Sequence, residues 1–195
     1  CAEDLGVIPK CCTDTLLEFG IPGNDVQRWV KDWNNRHDFL KPAEYRQLAV
    51  AMLSTHDTTN WKAWWQYEAG TVDKGLFMRK CNERKIDFAR VSSKLFDPAL
   101  SQHGRLRWKK EIDAVDKLAW ELGKSREMIG DFIELYENTY QEKEKLWKLL
   151  DCSGSPAEEA SADLLARIMQ YVLSSNSVFC INAINDYLGV ADLFK

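Results

Sequence analysis

Short apolar runs alternate along this chain with stretches of helical period, the pattern expected of βα units. Residues 48–53 (Leu-Ala-Val-Ala-Met-Leu) are apolar without interruption, as suits a strand buried on both faces of a parallel sheet. The strands predicted are 25–30, 49–54 and 177–183, with residue 1 at the tail of another. Residues 13–19 read as a short amphipathic helix stopped by Gly20. Residues 61–68 read as a second helix, capped by Thr58 or Thr59, whose hydroxyls can take an orphan backbone N–H.

Between residues 76 and 151 the pattern changes to highly charged sequence of helical period. Residues 105–122 place Ile112, Val115, Leu118, Ala119 and Leu122 on one apolar stripe. Ser125, followed by Met128, Ile129, Phe132, Ile133 and Tyr136, starts a helix that runs towards Leu150. Residues 152–156 form a turn, and 157–174 form a helix with Leu164, Leu165, Ile168, Met169 and Val172 on its inner face. The predicted fold is α/β, with a strand stub, three full strands and a long inserted helical segment at about 76–151, roughly half of an eight-stranded barrel. Such a half would leave a β-edge open at each side, a liability in water, so the chain reads as a fragment of a longer protein. The lack of an initiator Met agrees with that expectation.

With 195 residues, 45% of them hydrophobic and eight of them Trp, the chain can bury a substantial core. Lys plus Arg number 26 against 30 Asp plus Glu, a formal charge of −4, which leaves no basic footprint for nucleic acid. No apolar stretch approaches the roughly 20 residues of a membrane span. Glu3 and Asp4 stand where a signal peptide would be basic. The six cysteines are scattered without C-x-x-C spacing, so they are expected to be free thiols in a reducing cytoplasm. His37, His56 and His103 have no ligand-like spacing, and neither metal nor cofactor is expected.

The residues with the most chemical content are Ser54-Thr55-His56-Asp57 and the indoles Trp61, Trp64 and Trp65 just after them. The His-Asp pair falls where the apolar strand gives way to a loop, and in parallel α/β folds the carboxyl ends of strands carry the chemistry. A carboxylate beside an imidazole, with aromatic rings close by, suits a site that grips a sugar and stabilises positive charge on it.

Ala2-Glu3-Asp4-Leu5-Gly6, Pro22-Gly23, Val26-Gln27-Arg28, Thr55-His56-Asp57 and Ile184-Asn185-Asp186-Tyr187-Leu188-Gly189 occur in that order. In this the chain resembles the 4-α-glucanotransferases, also called amylomaltases or disproportionating enzymes, glycoside hydrolase family 77. The resemblance implies the C-terminal half of a (β/α)8 TIM barrel over residues 1–195, from the tip of strand 5 to strand 8. It implies maltooligosaccharide or α-glucan substrates, a retaining double displacement, and the N-terminal half of the same enzyme as partner. Glu3 matches the general acid/base and Asp57 the carboxylate that stabilises the oxocarbenium-like transition state. His56 would bind the same ring, and Asp4, Trp61, Arg28 and Asn185 are further substrate-binding candidates. Ser54 departs from the Gly usual in the family before Thr-His-Asp.

Plainer roles stand beside these. Glu3 and Asp4 can solvate a chain end, Asp57 can be an N-cap, Trp64 and Trp65 fit a core, and Arg28 fits a surface ion pair. The family's nucleophilic Asp lies before the Glu strand, hence outside this chain. Lys85-Ile86-Asp87 is in the wrong order for it and reads as a solvated helix face. Two other functions remain open: an α-glucan hydrolase of the same barrel type, and a non-catalytic carbohydrate-binding or interaction module.

Overall fold

The computed structural model describes residues 1–6, 8–33, 35 and 37–191. The described strands are β1 (Gly23–Val26), β2 (Ala49–Met52), β3 (Thr71–Asp73), β4 (Phe96–Asp97), β5 (Arg105–Trp108) and β6 (Phe179–Cys180). The helices are α1 (Lys10–Glu18), α2 (Trp61–Ala63), α3 (Lys74–Glu83), α4 (Phe88–Leu95), α5 (Val115–Leu122), α6 (Gly130–Thr139), α7 (Glu142–Leu149), α8 (Ala162–Leu173) and α9 (Ile184–Val190). They fall into two units, Cys1–Gln66 with Glu144–Lys195, and Tyr67–Lys143. Among the described residues, no helix is long and apolar enough to cross a membrane.

The first unit is built on a parallel sheet in the order β1-β2-β6. Its central strand β2 is Ala-Val-Ala-Met, and Ala49, Val50 and Ala51 are all buried, as an apolar strand between two covered faces requires. β1 starts and ends earlier than the predicted 25–30. Gly23 pairs with Ala49 and Val26 with Met52, after which residues 27–29 tighten into a 3-10 turn. β6 covers only Phe179 and Cys180 of the predicted 177–183, and the stub expected at residue 1 is not a strand, although Ala2 N–H donates to Pro22 C=O at 2.8 Å.

Gly23 explains where β1 begins. A Cβ there would stand 2.3 Å from Asp4 Oδ2. Asp4 has no room to retreat, because Asn24 N–H (2.7 Å) and Arg46 Nη1 (2.6 Å) both donate to its carboxylate. Gly23→Ala should therefore destabilise the fold by about 1–3 kcal/mol, the usual cost of forcing extra atoms into a packed site. Urea unfolding of the two proteins would measure it, and equal midpoints would rule the steric account out.

α8 packs against β2 and buries Leu164, Leu165, Ile168, Met169 and Val172, the five residues of the predicted inner face. It starts at Ala162 rather than 157, because Ser161 caps it by accepting from Leu164 N–H at 3.1 Å. α9 lies on α8, and Gly189 allows the approach: a Cβ there would be 3.2 Å from Leu165 Cδ1. α1 runs Lys10–Glu18 and ends as expected before Gly20, whose φ is +64°, with Ile21 N–H bonded to Leu16 C=O. α2 is capped by Asn60, whose Oδ1 accepts from Ala63 N–H at 2.8 Å, not by Thr58 or Thr59. Beyond Ala63 the helix widens into a π turn through Trp64–Glu68.

The second unit corrects the expectation of a purely helical segment: it holds an antiparallel sheet in the order β3-β5-β4. The predicted helix 105–122 is a strand for its first four residues. Arg105-Leu106-Arg107-Trp108 alternates outward Arg with buried Leu and Trp, and the helix starts only at Val115. Leu118, Ala119 and Leu122 of its stripe are buried as expected, and Gly123, at φ +66°, ends it. The long helix expected over 125–150 is broken into a 3-10 turn (Arg126–Met128), α6 and α7. Phe77 centres the core, edge-on to the rings of Phe88, Phe96, Trp108 and Phe132. Asp87 caps α4 by accepting from Ala89 and Arg90 N–H, and Ile86 beside it is buried.

Candidate functional site

β2 leaves the sheet through Leu53 and Ser54, both buried, into the loop that carries His56 and Asp57. Leu53 N–H is fixed by Asn182 Oδ1 at 2.9 Å. The loop makes a tight turn: Thr55 N–H donates to Thr58 Oγ1 (2.9 Å), and the Thr58 hydroxyl donates back to Thr55 C=O (3.2 Å). His56 and Asp57 occupy its tip, and both are exposed. The Thr55 hydroxyl also donates to Asp57 Oδ1. That bond, with a smaller contribution from His56, holds the Asp57 carboxyl below the ordinary carboxylate range. A carboxylate kept ionised at a loop tip is suited to stabilising positive charge and is the wrong group to deliver a proton.

On the β1 side, Glu3 is exposed while Asp4 is buried. Arg46 bridges Asp4 and Asp25, with its Nη1 2.6 Å from Asp4 Oδ2 and its Nε 2.8 Å from Asp25 Oδ1. Burial alone would raise the Asp4 carboxyl, but the bonds from Arg46 and Asn24 outweigh it and the net shift is downward. Asp4 thus anchors the segment that carries Glu3.

Trp61 and Arg28, expected as substrate contacts, lie inside the fold. Trp61 is fully buried: its Nε1 donates to Gln27 Oε1 at 2.8 Å and its ring stacks on Trp65 at 5.4 Å. It is core, and no sugar reaches it in this arrangement. Arg28 is buried rather than at the surface. Its guanidinium donates to Ser54 Oγ (3.1 Å), Thr59 Oγ1 (3.1 Å) and Thr59 C=O (2.6 Å), and lies over the Trp64 ring. Asn185 is exposed, but the next residue, Asp186, is the one that turns inward and bonds the loop.

Two half-exposed indoles of the first unit lie earlier in the chain. Trp29 and Trp33 are 40% and 44% exposed, and Trp33 Nε1 donates to Trp29 C=O at 3.1 Å. They line a cavity of about 640 Å³ whose wall includes Asp4, Val26, Lys31 and Arg46. The Trp-x-x-x-Trp spacing directly after β1 is the sequence signal for this pair, less conspicuous than Trp64-Trp65. All six cysteines are free, and among the described residues no group of His, Cys, Asp and Glu could hold a metal ion.

The sequence model of glycoside hydrolase family 77, described as 4-alpha-glucanotransferase, matches residues 1–193. The 4-alpha-glucanotransferase of Chlamydia caviae is 31% identical over 100 residues, 51% of this chain and 16% of that protein. That of Chlamydia pneumoniae is 40% identical over 63 residues, 32% of this chain and 12% of that protein. A rice protein, 4-alpha-glucanotransferase DPE2, is 36% identical over 70 residues, 36% of this chain and 7% of its own. The matched stretches therefore span only a small part of each relative. Among solved structures, amylomaltase from Corynebacterium glutamicum is similar at a TM-score of 0.44 and 18% identity, over 94% of this chain and 21% of that one.

Proposed function

Because this chain belongs to the 4-alpha-glucanotransferase family, we propose that it is part of an enzyme that moves α-1,4-glucan segments between maltooligosaccharides or glucans by a retaining double displacement. The observation that carries the reading is the His56-Asp57 turn at the carboxyl end of a buried parallel strand, with Asp57 held ionised by Thr55. Glu3 protonates the departing glycosidic oxygen and later takes the proton of the incoming sugar hydroxyl. Asp57 and His56 bind the sugar ring and stabilise its charge as the oxocarbenium-like state forms. The attacking carboxylate comes from outside these 195 residues, which match only 16% and 12% of the first two relatives.

The finer architecture belongs to the same proposal. β1, β2 and β6 are strands of one (β/α)8 barrel, and Tyr67–Lys143 is an insertion between β2 and β6. Support comes from the edge at β6, where Val178, Phe179 and Ile181 leave half or more of their surface in water, an edge that the remainder of a barrel would cover. The N-terminal half of the same enzyme is the proposed partner, and the free thiols fit work in the cytoplasm. Asp4 and Arg28 serve this site as supports, and Asn185 stays a polar contact at its rim.

Product analysis tests the function. The complete protein given maltotriose should release glucose and build maltotetraose, maltopentaose and longer chains. Glucose and maltose with nothing longer would instead make the protein a hydrolase.

A further inference from the structure

The loop that carries His56 and Asp57 is closed at its base by a carboxyl group from the far end of the chain. Asp186, in the first turn of α9, is 2% exposed. Its Oδ1 accepts from Trp61 N–H at 2.9 Å and from the Ser54 hydroxyl at 3.4 Å. Ser54 and Trp61 flank residues 55–60, so one oxygen holds both ends of the loop. Arg28 grips the same base from the 3-10 turn that follows β1, through Ser54 Oγ and Thr59. Asp186 Oδ2 is buried and, among the described residues, has no hydrogen-bond partner. Burial raises the Asp186 carboxyl, against the pull of the Trp61 N–H, the Ser54 hydroxyl and the Arg28 charge. A group so enclosed has no surface to offer a sugar.

We propose that Asp186 is a positioning residue: it pinches the loop between Ser54 and Trp61, and so fixes where Asp57 and His56 meet the substrate. The proposal rests on the reading of Asp57 given above. Ser54 belongs to the device, since a Gly at that position, the usual family residue, has no hydroxyl to share between Asp186 and Arg28. Because the Trp61 N–H is the donor, a neutral side chain that keeps an oxygen in place should still hold the loop.

Hydrogen exchange and steady-state kinetics on the complete protein test this together. Asp186→Ala should speed amide exchange about tenfold or more in peptides covering 53–63, with β2 still protected. With maltotriose its kcat should fall about 10–100-fold while KM moves less than about threefold, the signature of lost alignment rather than lost binding. Asp186→Asn should restore most of the protection and of the turnover. If Asp186→Ala does not fold, Ser54→Ala removes the weaker of the two bonds to Asp186, together with the Arg28 bond to Ser54, while the Trp61 N–H bond stays, and should give intermediate values of both. Unchanged loop exchange in these variants, or faster exchange with unchanged kcat, would overturn the proposal. An unmodified protein without turnover would overturn the transferase reading, and the exchange data alone would then decide whether Asp186 holds the loop.

Discussion

Glu3→Gln in the complete protein should lower kcat by about 10²–10⁴-fold, the range associated with losing a general acid/base. The substitution keeps the volume and removes the proton. It should leave the fold intact, because Glu3 is exposed and the anchoring in that segment is done by its neighbour: Asp4, not Glu3, is bonded to Arg46 and to Asn24 N–H. The thermal midpoint should therefore stay where it was. A donor whose leaving group needs no proton separates the acid role from a general loss of geometry. With an α-maltosyl fluoride donor, the first displacement can proceed without Glu3, so the loss in its rate should be much smaller than with maltotriose. Equal losses on the two donors would remove Glu3 from the acid step, and an unchanged rate on maltotriose would remove it from the mechanism.

The parts of the fold that were legible in the sequence are those in which one period stands alone. β2 is a run of apolar residues too short for a helix, and α8 repeats its buried positions at helical spacing over twelve residues. The first turn of the predicted helix 105–122 failed for the opposite reason. Arg105-Leu106-Arg107-Trp108 has a period of two, but four residues with two charges weigh little beside the apolar stripe that follows, whose helical period reads backwards over them. β1 begins earlier than the sequence suggests, because Val26 to Val30 look more like a strand than Gly-Asn-Asp does. The register is set instead by contacts distant in sequence, with Gly23 giving room to Asp4.

The chemistry divides in a similar way. The place of His56 and Asp57, in a turn after a buried strand, was legible because a polar pair at the end of an apolar strand is a local signal. The groups that hold them are Arg28, Ser54 and Asp186, which are separated by up to 132 residues where they bond to one another. No local pattern links an Asp in a C-terminal helix to a Ser after β2. The aromatic residues mislead for a related reason: the indoles nearest the motif in sequence fill the core, and those at the cavity precede it by more than twenty positions.

Asp57→Asn should cost about 10²–10³ in kcat/KM, since it replaces a fixed negative charge by a dipole where positive charge develops in the transition state. The environment of Asp57 gives this expectation a pH dependence that a bare contact residue would lack. The Thr55 hydroxyl donates to the carboxylate and lowers its pKa, so in the native protein Asp57 keeps its charge to a lower pH than a free aspartate. Thr55→Val removes the donor at nearly constant shape, and the pKa should then rise towards about 3.9, the usual aspartate value. A carboxylate is active above its pKa and neutralised below it, so raising the pKa moves the loss of charge to higher pH. The acid limb of kcat/KM against pH should accordingly shift upward in Thr55→Val, with the neutral-pH rate changed far less than in Asp57→Asn. The double variant Thr55→Val/Asp57→Asn should show no such shift beyond Asp57→Asn alone, because the titrating group is gone. If the acid limb of Thr55→Val stays in place, or moves equally in the double variant, Asp57 is not the group whose ionisation supports turnover.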